Sequence, residues 1–347
     1  MRERELKEGE KVKDSKSGET RCFPVNRIIV TKSVDPYHNL ALEEVLFDSQ
    51  GDGCTLYLWQ NQHTVVIGRN QNAWRECRVE LLESEGGFLA RRSSGGGAVF
   101  HDLGNLNFTF LLPKDDYDLV RQLSVIQKAA AKFGIDTSFT GRNDLVLTAT
   151  GEKFSGNAFR FSQGTALHHG TILISADMQK LSRYLAPSQM KLEAKGVKSV
   201  VSRVTNLGLQ NPELNVESMK RALVEAFCEE YGAAEPHAEE SVDAEKLERG
   251  RARYASWDWR FGCTPAFNVS FENRFSFGCL ELLFNVQGGI VSSVVCYTDA
   301  MDATLALRLQ ELLTGSAYGK QTLVDRLFTQ TGAEEQEIAA WLNEQSI

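Results

Sequence analysis

The stretch Arg91-Arg92-Ser93-Ser94-Gly95-Gly96-Gly97-Ala98-Val99-Phe100-His101-Asp102 gathers residue types that can hold an anion. Three consecutive glycines let the backbone pass through positive φ and let amide N–H groups converge on one point. The two arginines before them can donate paired, charge-assisted hydrogen bonds to phosphate oxygens. A flexible glycine turn between strands is the plain alternative. The Lys-Ser/Thr ending of a Walker loop is absent, and so is the full Rossmann glycine spacing. The stretch is a phosphate loop of another kind, or none.

Gly141-Arg142-Asn143-Asp144 and Lys153-Phe154-Ser155-Gly156-Asn157-Ala158 stand on either side of Thr150-Gly151-Glu152, a good hairpin turn. Asp144 and Lys153 therefore come near each other on paired strands. A lysine among strand residues buries part of its stem, and its ammonium needs an anionic partner. Asp144 as that partner gives a structural ion pair. Alternatively, Lys153 holds a reacting carboxylate and an α-phosphate while Asp144 touches Mg2+ or ribose. In Leu167-His168-His169-Gly170-Thr171 the adjacent histidines alternate faces of a strand, so a single metal held by both is disfavoured. Lys191, Lys195, Lys198 and Arg203 form either a solvated loop or a basic flap over a nucleotide.

These residues need a scaffold. The pattern predicts strands at 27–32, 56–58, 65–67, 88–90, 106–110, 144–148, 154–160 and 167–174. Helices are expected from Asp35-Pro36 onward, over 117–133 with Asp115 or Asp116 near the start, and over 177–185 and 216–231. Residues 232–250 are rich in Ala and charge and read as a linker. Strands at 266–271, 274–285 and 290–297, then helices at 304–313, 320–330 and 334–343, follow it. The expected organisation is an N-terminal extension at 1–26, a catalytic unit at 27–240, a linker at 241–252 and a small unit at 253–347. The fold class is α+β: a large mixed-sheet domain with a small α+β accessory domain.

With 347 residues and a net charge of -8, general affinity for nucleic acid or anionic membranes is disfavoured. No apolar run approaches the roughly 20 residues that span a bilayer, and the charged N-terminus has no secretory apolar core. Seven loosely spaced cysteines without a Cys-x-x-Cys pair fit reduced cytosolic thiols better than zinc or disulfides. A cytoplasmic, monomeric protein is expected.

Taken in order, the motifs resemble the lipoate–protein ligase A family. The matching runs begin at Asn39-Leu-Ala-Leu-Glu-Glu44 and Thr64-Val-Val-Ile-Gly-Arg69 and continue through the glycine stretch. Gly141-Arg-Asn-Asp-Leu145, Lys153-Phe-Ser-Gly-Asn-Ala158, His168-His-Gly-Thr171, Lys195-Gly and Ser202-Arg-Val-Thr-Asn-Leu207 complete the large domain. Trp257-Asp-Trp-Arg-Phe-Gly262 is similar to the family's accessory domain. The resemblance implies the biotin/lipoate-ligase fold and two half-reactions. Lipoate and MgATP give lipoyl-AMP, which then acylates a lysine on a lipoyl domain of a 2-oxoacid dehydrogenase E2 subunit, or on the glycine-cleavage H protein.

It also implies residue roles. Arg92 and Gly97, Ala98, Val99 and Phe100 would hold ATP and the adenylate, with Gly95 and Gly96 shaping the turn. Lys153 would bridge the lipoyl carbonyl and the α-phosphate, beside Ser155, Gly156 and Ala158. Asn143 and Asp144 would sit at the nucleotide and Mg2+ end, and Glu43, Trp59, Leu167 and His169 around the far end of the lipoyl chain. Three other readings stand beside this one. They are a lipoyltransferase that uses preformed lipoyl-AMP, a biotin ligase and a non-catalytic lipoate binder. The absence of cysteine between Arg91 and Thr171 disfavours a thioester route.

Overall fold

The computed structural model describes residues 12–13, 20–21, 25–140, 144–185, 204–264, 266–298, 300, 302, 304–345 and 347. A ribbon of β1 (Val12–Lys13) and β2 (Thr20–Arg21) precedes β3 (Asn26–Val30). Asp35 then caps α1 (Pro36–Asp48), accepting from the Tyr37 and His38 N–H groups, with Pro36 where no N–H is needed. Next come β4 (Thr55–Trp59), β5 (Thr64–Ile67), the short helices α2 (Ala73–Glu76) and α3 (Val79–Ser84), β6 (Phe88–Arg91), β7 (Val99–His101) and β8 (Asn105–Pro113). The chain continues through α4 (Leu119–Ala131), β9 (Thr137–Thr140), β10 (Asp144–Leu147), β11 (Lys153–Phe161), β12 (Thr165–Leu173), α5 (Met178–Tyr184), α6 (Val216–Tyr231), β13 (Ala234–Pro236) and α7 (Ala244–Ala255).

Eight strands form one mixed sheet in the order β13-β3-β4-β8-β12-β11-β10-β9, and β6-β5-β7 form a second. Strict alternation sorts β8 and β12, the two long central strands of the large sheet. Leu106, Phe108 and Phe110 of β8 and Ile172 of β12 pack with α4 and α6 in the largest apolar cluster. The opposite face carries Trp59 and Tyr57, Asn107 and Thr109, Thr171 and His169, and Gly156 and Ala158. The register sets these side by side, pairing Trp59 with Asn107, Asn107 with Thr171 and Ala158 with His169. Farther along that face, Leu111 and Leu167 pack under α1.

The C-terminal unit is an antiparallel meander of β14 (Phe267–Phe275), β15 (Gly278–Gln287) and β16 (Ile290–Thr298), followed by α8 (Leu305–Leu313), α9 (Lys320–Phe328) and α10 (Ala333–Glu344). Gly288 and Gly289 form the β15–β16 turn with φ of 57° and 76°, values that favour glycine. Trp74 of α2 joins this core, its ring 5.6 Å from Phe267 and 5.2 Å from Tyr318.

Several expectations need correction. Residues 232–250, read as a linker, carry β13, a 3-10 turn and most of α7, which packs along α1; Gly250 is so close that an added Cβ would lie 3.1 Å from the Ala41 Cβ. The α4 cap is Asp118, while Asp115 and Asp116 belong to a 3-10 turn before it. The second strand of the small unit starts at Gly278, because 274 and 275 complete the first. β4 and β5 flank one polar turn but belong to different sheets.

Candidate active site

A β-bulge sets the position of Lys153. Leu145 pairs with Ser155 and Val146 with Lys153, so Phe154 is the extra residue. The insertion reverses parity along β11. Phe154 is fully buried in the core beneath α4, and Asn157 faces the same side, holding His168 against Gln122. Lys153 instead shares the face of Gly156 and Ala158. Its Nζ and Cε lie 2.9 and 3.1 Å from where a Cβ on residue 156 would stand, so the lysine lies across the bare glycine. Nζ is 2.6 Å from Asp144 Oδ1 on the neighbouring strand. The structural ion pair foreseen from the hairpin exists, and both side chains remain partly open to solvent.

The twin arginines of β6 and the loop after it point opposite ways. Arg91 is fully buried, and every donor it uses goes to protein oxygen. Nε reaches the Trp259 and Arg260 carbonyls, Nη1 those of Gly68, Arg69 and Gln71, and Nη2 the Arg260 carbonyl and Thr264 Oγ1. It is therefore not the phosphate ligand its sequence position suggests. Arg92 holds the glycine loop itself. Its Nη2 donates to the Gly95 and Gly97 carbonyls at 2.6 and 2.8 Å, Nη1 to Val66 and Nε to Ser94 Oγ. Burial pulls its pKa down to about 10, with the Glu43 carboxylate opposing, so it stays cationic at neutral pH. Gly96 has φ of 92°, and a Cβ there would lie 2.8 Å from Arg92 Nη2.

Between this loop and the sheet lies a cavity of about 150 Å3. It runs across β11, β12, β8 and β4, three inter-strand spacings or roughly 14 Å. Lys153 stands at one end and Trp59 at the other. Behind the lining runs a buried chain of hydrogen bonds. Ser94 Oγ is 2.6 Å from His169 Nε2, and His169 Nδ1 is 2.8 Å from Glu43 Oε1. Glu43 Oε1 accepts from Thr109 Oγ1, which accepts from Trp59 Nε1. The chain fixes the indole and ties it to the glycine loop.

Among the residues expected from the sequence, Trp59, Arg92, Gly96, Gly97, Ala98, Val99, Lys153, Gly156, Ala158 and His169 line this one cavity. Glu43 stands one hydrogen bond behind it, and Asp144 reaches it through Lys153. Gly95 contributes its carbonyl to Arg92. Phe100 packs its ring away from the loop, against His63 and Tyr184. Two of the expected residues, Ser155 and Leu167, are not among those lining the cavity, although Leu167 packs in the same apolar cluster as Trp59. Ser155 lies on the α4 side of the bulged strand, and Leu167 sits in the core under α1. Asn143, Lys191, Lys195, Lys198 and Arg203 lie outside the described residues. Leu40, Val66, His101, Asn107 and Thr171 also line the cavity and were not singled out. The alternation Leu106-Asn107-Phe108-Thr109-Phe110 was the available signal, since it marks one face of β8 as polar.

Comparison with known proteins gives matches over nearly the whole chain. The lipoyl protein ligase A/B catalytic domain family matches residues 35–228, and the bacterial lipoate protein ligase C-terminus family matches 264–342. A lipoate-protein ligase A from Psychrobacter cryohalolentis is 42% identical over 333 residues, covering 91% of this chain and 97% of the relative. Among solved structures, P. falciparum LipL1 in complex with lipoate is 27% identical with a TM-score of 0.61, covering 93% of this chain and 100% of that one. An archaeal bipartite lipoate protein ligase, described with its E2 lipoyl domain, from Thermoplasma acidophilum is 26% identical with a TM-score of 0.58. It covers 68% of this chain and 95% of that one.

Proposed function

The chain belongs to the lipoate–protein ligase family, and from that premise we propose that it activates lipoate with ATP in the Lys153–Trp59 cavity and passes the lipoyl group to a lysine of a partner protein. The observation that carries the site assignment is Lys153, laid across Gly156 at the mouth of an otherwise largely uncharged slot and facing the Arg92-held loop.

In the first half-reaction a lipoate carboxylate oxygen attacks the α-phosphorus of ATP. The bond from that phosphorus to the bridging oxygen breaks, and pyrophosphate leaves. Two anions must meet, and the Lys153 ammonium offsets their repulsion and stabilises charge on the α-phosphate. The glycine-loop amides, held by Arg92, supply further donors without reorganising at that moment. In the second half-reaction a neutral lysine ε-amine attacks the acyl carbon, an amide forms and AMP departs.

Among the described residues no cluster of three His, Cys, Asp or Glu could cage a metal. A Mg2+ carried by ATP needs only one or two carboxylates plus phosphates, and Asp144 fits that role by releasing Lys153 to the substrate. Mg2+ bound there would neutralise phosphate charge. The acceptors we propose are lipoyl domains of E2 subunits and the glycine-cleavage H protein. We place the catalytic unit at 27–240 and the accessory unit at 253–347; α7 (Ala244–Ala255), which packs along α1, crosses the start of the second. No described helix is long and apolar enough to cross a membrane.

Lipoate-dependent release of pyrophosphate from ATP tests the activity. If none is released while synthetic lipoyl-AMP still acylates a lipoyl domain, the chain is a lipoyltransferase instead.

A further inference from the structure

The glycine loop turns its carbonyls toward protein, and the turn that follows β5 sets part of that orientation. The Arg69 N–H donates to the Ser94 carbonyl at 2.8 Å. The Gly95 and Gly97 carbonyls accept from Arg92 Nη2. The Gly96 carbonyl is seated against Gly68. A Cβ on residue 68 would collide with the Gly96 oxygen and stand 3.2 Å from the Gly95 and Gly96 carbonyl carbons. In a trans peptide the N–H points opposite to the C=O. The Gly95 and Gly97 N–H groups therefore point away from the turn, and the Gly96 N–H points away from Arg92. None of the three donates to an acceptor among the described residues, and all three glycines are exposed.

Gly68 itself cannot move aside. It is buried, its N–H donates to Gln71 Oε1 at 2.8 Å, and its carbonyl accepts from the Gln71 N–H at 3.1 Å and from Arg91 Nη1 at 3.2 Å. Its φ lies outside the left-handed region, so space alone calls for glycine here. At Gly156 the neighbour is the far end of a lysine, whereas at Gly68 it is the backbone of the glycine loop.

We propose that Gly68 is a positioning residue for the nucleotide. Its bare α-carbon lets the Gly96 carbonyl seat against the turn. That keeps the carbonyl dipole off a bound anion and leaves the Gly97 N–H to donate to it. A side chain at 68 would push the Gly96–Gly97 peptide out of this seat and bring a carbonyl toward the place where phosphate needs a donor. Trp59 and Asn107, at the other end of the cavity, stand on β4 and β8, apart from this contact.

The inference rests on the ligase reading, and equilibrium binding separates the two. Calorimetry with the Mg2+ complex of α,β-methylene-ATP, and separately with lipoate, is run on the wild type, Gly68→Ala and Gln71→Met. Gly68→Ala should weaken binding of the ATP analogue by about tenfold or more, because the donors are displaced. Lipoate affinity should stay unchanged. Gln71→Met removes the acceptor that holds the Gly68 N–H and adds no bulk at 68. It should weaken the analogue by about threefold, and it decides the matter alone if Gly68→Ala does not fold. Unchanged analogue affinity in the folded variants, or parallel losses for analogue and lipoate, would overturn the inference and leave the ligase reading intact. A wild type that binds lipoate but not the analogue sinks both.

Discussion

At the scale of single residues, the site depends on where one ammonium lies and on what leaves room for it. Gly156 is bare because Lys153 crosses it. A methyl group there would meet the far end of a flexible side chain, not backbone. Gly156→Ala should therefore leave stability nearly unchanged while displacing Nζ and lowering adenylation by about tenfold or more. A thermal melt alongside a pyrophosphate assay checks this, and equal loss in both would point to a packing role instead. The sequence made Lys153 and Asp144 visible as partners across a turn, and the ion pair is there. It did not show which face of β11 the lysine takes. Alternation counted back from Ala158 puts Ser155, and not Gly156, with Lys153, and only the bulge at Phe154 reverses that. The expectation that Ser155 lines the cavity came from the family resemblance alone, since alternation from Ala158 already turns it to the opposite face.

At the scale of elements, the strands that stood out were those with apolar alternation, and the hairpin turn was located by Gly151. β7 was hidden because three glycines dominate its neighbourhood. α7 was hidden because its packed face is Leu247, Gly250 and Tyr254, where the glycine that lets α1 approach looks like a helix breaker. The two faces of the large sheet also carry a pH consequence. Burial lowers the pKa of His168, held between Gln122 and Asn157 on the α4 face, to about 3, as it does for His101 beside the cavity. In the unfolded chain both rings titrate near their ordinary value of about 6.5. Below that pH the unfolded state binds protons that the folded state does not, so stability is full above about pH 6.5 and falls as pH drops toward 3. The slope should approach about 1.4 kcal/mol per pH unit for each ring. Urea midpoints between pH 7 and pH 5 measure it. His168→Gln should flatten the dependence by about half, and an unchanged slope would assign the acid sensitivity to carboxylates instead.

At the scale of the whole molecule, Arg91 is the joint between the two units. It gathers carbonyls from the loop after β5 and from the π-helical turn Asp258–Gly262, while Trp259 Nε1 returns a hydrogen bond to the Arg91 carbonyl. Arg92, the next residue, holds the glycine loop. A change in how the accessory unit docks would thus be felt one residue from the nucleotide loop. Arg91→Met strands several buried carbonyls and should cost about 3 kcal/mol or more, with faster proteolysis at residues 256–266 as the local readout. Undiminished protection there would mean that Trp74 and its aromatic neighbours hold the units together alone. The claim beneath all of this is that Lys153 brings the lipoate carboxylate and the ATP α-phosphate together. Lipoate-dependent ATP–pyrophosphate exchange by Lys153→Ala, with folding verified by its melting curve, tests it most directly. The account predicts a fall of about 100- to 1000-fold, and exchange at the wild-type rate by a folded variant would contradict it.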